Sequence, residues 1–210
     1  MAVAIQEIVK TEEVTFVPKP PTLRPFTVRE YERLHEVGII GEDERVELVG
    51  GEIVEMAAIG FRHANTVTLL TEVLAPMMAR NRLSVQNPIG LLGDNLPQPD
   101  LAVFRAGDYS RRRMSAADAL LVIEVADSSK RFDLNVKFPL YAAAGIPEAW
   151  LFDLHADRIQ RHTDSGPDGY RQVASAGRGE SLASLSLPSV VLVVDDVLGS
   201  SANSDAESDS

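Results

Sequence analysis

The chain has 210 residues, 45% of them hydrophobic and 24% charged, which is the make-up of an ordinary globular protein with one sizeable core or at most two small ones. It has no cysteine, so disulfides, thiolate metal sites and a cysteine nucleophile are excluded, and a cytoplasmic setting is expected. No apolar run approaches the roughly 20 residues of a membrane span, and the net charge of −11 argues against a surface built to lie along nucleic-acid phosphates.

Residues 1–25 carry Pro18, Pro20, Pro21 and Pro25 and read as an extended arm. Thr27 with Glu30 three residues later forms a capping box, opening a helix that Gly38 ends. Val46 to Val49 and Glu52 to Met56 are joined by Gly50-Gly51 and predict a β-hairpin. From His63 to about Arg80, Val67, Leu70, Leu74 and Met77 recur at helical spacing, with Pro76 distorting the last turn. Short strands are expected at Leu83 to Gln86, Ile89 to Leu92, Leu101 to Phe104 and Ala119 to Ala126. Residues 130–145 are helical, with Pro139 kinking the helix or sitting in the first turn of a second one. Strands at Glu148 to Asp153, Arg158 to His162, Tyr170 to Val173 and Leu187 to Val194 follow. The stretch 198–210 is Ser/Asp-rich and reads as a disordered acidic tail. One α/β domain over 26–197 is therefore expected, with a mixed central sheet flanked by helices and preceded by a helix and a hairpin.

The four histidines form no closely spaced ligand pair, and no nucleophile elbow, P-loop or G-x-G-x-x-G occurs. What remains is acids on strands. Asp100 opens the strand LAVF, and Glu124 interrupts the apolar run LLVIEVA, where an ionised carboxylate is unfavourable unless it meets a cation or a wet cleft. Two neighbouring strands can bring the pair to one sheet edge, where oxygen-only ligation favours magnesium, with manganese as a substitute. The alternative is structural: Asp100 caps a turn and Glu124 pairs with a buried arginine. Arg111, Arg112 and Arg113 lie in the mildly basic middle of the chain and are candidates for contact with an anionic substrate. Met56, Met77, Met78 and Trp150 read as core.

The runs VELVGGEIVEM around Glu47, RHA at 62–64, VQNP at 85–88, PDLAVF at 99–104, LLVIEVADSS at 120–129 and VKFPLYAAAGIPEAWLFD at 136–153 resemble the Uma2 family over about residues 26–197. The resemblance implies a restriction-endonuclease-like fold of the PD-(D/E)XK kind and a magnesium-dependent endonuclease acting on DNA. Pro99-Asp100 would then be the PD element and Glu124 the second acid, with the Val125 carbonyl as a third metal ligand. The lysine expected two residues after Glu124 is replaced by Ala126, and Lys137 on the following helix is the candidate to take its place. Glu47 is the candidate additional acid, in competition with Glu52 and Glu55. His63 and Gln86 are candidate substrate contacts. Enzymes of this fold commonly pair, so a homodimer is expected, with the proline-rich arm contributing to it. A catalytically inactive binding module and a hydrolase of small phosphodiesters are the rival expectations.

Overall fold

The computed structural model describes residues 23–199. Most of the arm, including the stretch assigned to a dimer contact, lies outside the described residues, as does nearly all of the acidic tail. Among the described residues, no helix is long and apolar enough to cross a membrane.

Helix α1 (Val28–Glu36) begins at the expected capping box: the Glu30 N–H donates to Thr27 Oγ1 at 3.2 Å and the Thr27 N–H to Glu30 Oε2 at 2.9 Å. The hairpin of β1 (Val46–Val49) and β2 (Glu52–Glu55) turns on Gly50 and Gly51. Both have positive φ, +61° and +75°, the backbone a two-residue hairpin turn requires. Tyr31, Ile40, Leu48 and Leu96 form a small core beneath α1 and the hairpin. There the Leu96 N–H donates to the Leu48 carbonyl at 2.7 Å, fastening β1 to the segment that leads into Asp100.

The main sheet has six strands in the order β3-β4-β5-β6-β7-β8. These are β3 (Arg82–Val85), β4 (Leu101–Phe104), β5 (Ala119–Ala126), β6 (Glu148–Asp153), β7 (Arg158–Gly166) and β8 (Gly169–Gly177). Only β5 and β6 are parallel, and the helical segment between them makes the crossover that a parallel pair requires. Alternation along the central strands fills both faces. Leu101, Val103, Leu121, Ile123 and Val125 pack in one core with Val67, Leu70 and Leu74 of α2 (Phe61–Leu74). Ala102, Phe104, Val122 and Ala126 pack in the other with Phe138 and Tyr141. The sheet is thus mixed, with helices on both sides, as expected.

Several elements differ from expectation in detail. Ile89 to Leu92 is not a strand; Gly90 makes only an isolated bridge to Ser115. Helix α2 starts two residues before His63 and passes at Pro76 into a 3-10 turn, Ala75–Met78. Residues 130–143 form three pieces: α3 (Lys130–Phe132), a π turn (Asp133–Lys137) and α4 (Phe138–Ala143). Pro139 sits in the first turn of α4, where its missing N–H is tolerated. The run 187–194 yields only β10 (Val191–Val193), paired with an unforeseen β9 (Ser181–Ala183). Val194 already opens α5 (Val194–Leu198), whose last residue is buried, so the folded chain extends past residue 197.

Candidate active site

The register of β4 and β5 explains how two acids 24 residues apart come together. Leu101 pairs with Ile123 in an antiparallel ladder, so continuing one step sets Asp100 opposite Glu124. Side chains directly opposed across strands share a face with Cβ atoms roughly 5 Å apart. Both acids line a cavity of about 330 Å³, together with Glu47, His63, Gln98, Val125, Asp133 and Lys137.

Asp100 is held from three directions. The Val125 N–H donates to Oδ2 at 2.8 Å, His63 Nε2 lies 3.0 Å from Oδ1, and Gln86 Nε2 donates to Oδ1 at 3.3 Å. Gln86 is positioned by ending β3 with a positive φ of 49°, its own N–H bonded to the Asp100 carbonyl at 2.9 Å. His63 is the third residue of α2, so the start of that helix delivers it to the acid.

Glu124 is buried on the α4 side of the sheet. Tyr141 donates its hydroxyl to Oε1 at 2.6 Å, and Lys137 Nζ lies 3.3 Å from Oε1 and 3.4 Å from Oε2. The same ammonium reaches Glu47 Oε2 at 3.2 Å and the Gln98 carbonyl at 3.5 Å. Glu47 in turn accepts the Gln98 N–H at 2.9 Å. Four buried carboxylates, Glu47, Asp100, Glu124 and Asp133, thus gather around one lysine and one histidine.

The electrostatics follow from that imbalance. Burial, with Asp133 and Asp100 adding to it, pushes the Glu124 carboxyl well above the ordinary carboxylate range, against the pull of Lys137 and the Tyr141 hydroxyl. Burial likewise raises Asp133 to about 6. Burial opposes the charge on Lys137, but Glu124, Glu47 and Asp133 outweigh it and hold the ammonium above its usual range. A cluster that binds protons this avidly is short of positive charge.

The sequence model of the Uma2 family, described as "Putative restriction endonuclease", matches residues 28–195. The chain belongs to the Uma2 family. Its backbone is also similar to the crystal structure of "a putative nuclease belonging to DUF820 from Anabaena variabilis ATCC 29413", with a TM-score of 0.61 at 14% identity, over 83% of this chain and 98% of that one. No curated protein matches. The fold is the α/β restriction-endonuclease-like one that the Uma2 resemblance implied.

Within this Uma2 frame, Asp100, Glu124, Lys137, Glu47, His63 and Val125 meet at one cavity, and Gln86 contacts it through Asp100. Of the acids competing with Glu47, Glu55 is exposed at the rim and Glu52 lies outside it. The three arginines do not reach the cleft. Arg112 pairs with Asp118 at 2.6 Å and lies over the Tyr109 ring, Arg113 pairs with Glu32, and Arg111 is exposed. Nor does Glu124 pair with a buried arginine; its cationic partner is Lys137. Met56, read as core, lines the cavity instead. Sequence reasoning missed Asp133 and Tyr141. Their one signal was spacing, since each stands four residues from Lys137 and so on its side of a helix.

Proposed function

We propose that this Uma2 chain is a magnesium-dependent nuclease that hydrolyses DNA phosphodiester bonds in the cleft where Asp100 and the end of β5 face the β1–β2 hairpin and the π turn, with manganese able to substitute. The observation that carries the reading is the opposition of Asp100 and Glu124 across β4 and β5, with the displaced lysine reaching Glu124 from the next helix.

The donor set fits a hard divalent ion. Among the described residues, no three His, Asp or Glu side chains stand together in ligating range, so an ion here would draw on two carboxylates, a main-chain oxygen and solvent or substrate oxygens, the mixture that magnesium favours. Pro99 supplies a reason for the main-chain oxygen. The ladder ends at the pair Leu101 and Ile123; two further steps in the same register would set residue 99 opposite Val125. The Val125 N–H is directed at Asp100, and the carbonyl of a strand residue leaves on the same edge as its N–H. A residue with an N–H at position 99 would then compete for that carbonyl, and proline has none.

When bound, the cation supplies Lewis-acid polarisation of the phosphoryl group and acidification of the attacking water. Asp100, kept in orientation by His63, Gln86 and the Val125 N–H, and Glu124 would hold it. Lys137 donates to the phosphoryl oxygens as negative charge builds on them. Val54, Met56 and Ile59 line the cavity as its apolar wall.

The test is cleavage of supercoiled plasmid and of single-stranded oligonucleotide by the purified chain with magnesium or manganese, against Asp100→Ala and Glu124→Ala. Metal-dependent cleavage lost in both variants supports the proposal, and equal activity in all three proteins refutes it. One observation favours a second reading. The cavity lining carries Glu47, Glu55, Asp100, Glu124, Asp127 and Asp133 against only Arg45 and Lys137, a poor track for a duplex but no obstacle to a small phosphodiester. Turnover of bis(4-nitrophenyl) phosphate without plasmid nicking would select it.

A further inference from the structure

Tyr141 has no place among the groups that would hold the cation or contact the phosphate, yet it makes the shortest contact to Glu124, 2.6 Å from Oε1, against 3.3 Å and 3.4 Å for Lys137. It is fully buried, and a buried phenol needs a partner. Other tyrosines of this fold take backbone oxygens: Tyr31 donates to the Val46 carbonyl and Tyr170 to the Ile146 carbonyl, each at 2.9 Å. Tyr141 is directed at the acid instead.

The helix is phased to bring it there. Each step of four residues along an α-helix overshoots a full turn by about 40°, so Asp133, Lys137 and Tyr141 would drift apart by about 80° over two steps. The π turn Asp133–Lys137 is wider, takes up that drift and keeps all three on the face turned to Glu124. Lys137, shared between Glu47, Glu124 and the Gln98 carbonyl, is the group a phosphate would draw away. Tyr141 is the donor that stays.

We infer that Tyr141 is a positioning residue: its hydroxyl fixes Oε1 of Glu124 and so presents Oε2 to a divalent cation in the cleft. The inference rests on the cation-binding reading above, and it places part of the site's ion affinity in a side chain that touches neither ion nor substrate.

Manganese binding by isothermal titration calorimetry at pH 8, with no substrate present, tests it. Tyr141→Phe should bind manganese ~10- to 100-fold more weakly, the usual loss when a ligand's supporting hydrogen bond is removed. Tyr170→Phe removes a half-buried, hydrogen-bonded hydroxyl that lies off the site and should leave the affinity unchanged. Two near-isosteric replacements at 141 separate the donor from the volume and stand in if Tyr141→Phe does not fold: 4-aminophenylalanine should retain affinity and 4-methylphenylalanine should lose it. Equal binding by wild type and Tyr141→Phe overturns the positioning role alone, as does an equal loss in Tyr141→Phe and Tyr170→Phe or in both near-isosteric variants. Failure of the wild-type chain to take up manganese overturns the cation reading beneath it.

Discussion

Asp133→Asn is expected to make the protein more stable, although the carboxylate it removes is buried and hydrogen-bonded. Asp133 receives the Ser129 hydroxyl at 2.6 Å, and an asparagine oxygen can accept the same bond. Burial is the largest influence on its carboxyl and raises it; Lys137 and Ser129 oppose this, Asp100 and Glu47 reinforce it, and the result is a rise from 3.8 to about 6. A carboxyl that holds its proton more tightly in the folded chain stabilises the fold fully below its unfolded value and loses that contribution as pH rises through the folded one. The difference between 3.8 and about 6 corresponds to about 3 kcal/mol above neutrality and about half of that at pH 5. The variant, which has no proton to lose, should therefore exceed wild type by a margin that is largest at pH 8 and shrinks on acidification. Urea denaturation at pH 8 and pH 5 measures both margins. A destabilised variant at pH 8, or a gain that does not change with pH, would refute the charge imbalance inferred for the cleft.

Lys137→Met leaves Glu47 and Glu124 buried without their cation and should lower stability at pH 8 by about 3–5 kcal/mol, besides ending cleavage; an unchanged urea midpoint would contradict the shared-lysine arrangement. Pro99→Ala returns an N–H opposite the Val125 carbonyl, so manganese affinity should fall severalfold while the melting temperature holds, and calorimetry showing wild-type affinity would remove that oxygen from the proposed ligands. Glu148→Ala tests the opposite kind of buried acid. Glu148 accepts from Trp150 Nε1, Ser184 Oγ and the Leu185 and Ser186 N–H groups at 2.5–3.0 Å, far from the cleft lining. Its loss strands four donors and should cost about 3 kcal/mol or more with manganese binding unaffected; a change in binding would connect this clamp to the site.

The central strands were legible because burial on both faces writes itself as continuous apolar runs: ALLVIEVA and EAWLFD fall on β5 and β6 to the residue. Glu124 was legible for the same reason, as the one charge in such a run. Some segments outside the six-stranded sheet were not. Ile89–Leu92 is apolar but finds no ladder partner beyond one bridge at Gly90, whereas β9, only three residues long, exists because β10 pairs with it. The pairing of Arg112 with Asp118 and of Arg113 with Glu32 was not legible, because the run shows its charge but not the acids that meet it. Asp133 and Tyr141 stayed hidden because their significance depends on a π turn, and nothing in the spacing distinguishes that turn from an ordinary helical one.

Placing the lysine on a helix rather than on the strand has a consequence for how the site forms. Ala126, two residues after Glu124, is fully buried among Phe138, Tyr141 and their neighbours. Lys137 instead arrives from the crossover between β5 and β6, and Glu47 from the hairpin through the contacts of β1 with residues 96–98. The acids on the sheet and their cation therefore meet only when three separately packed elements have docked, and the ion pairs that join them are also contacts that hold the docking together. Stability and site assembly should accordingly move together in Lys137 variants and apart in Asp133 variants, because the first removes the group the elements share while the second relieves the charge they crowd around it.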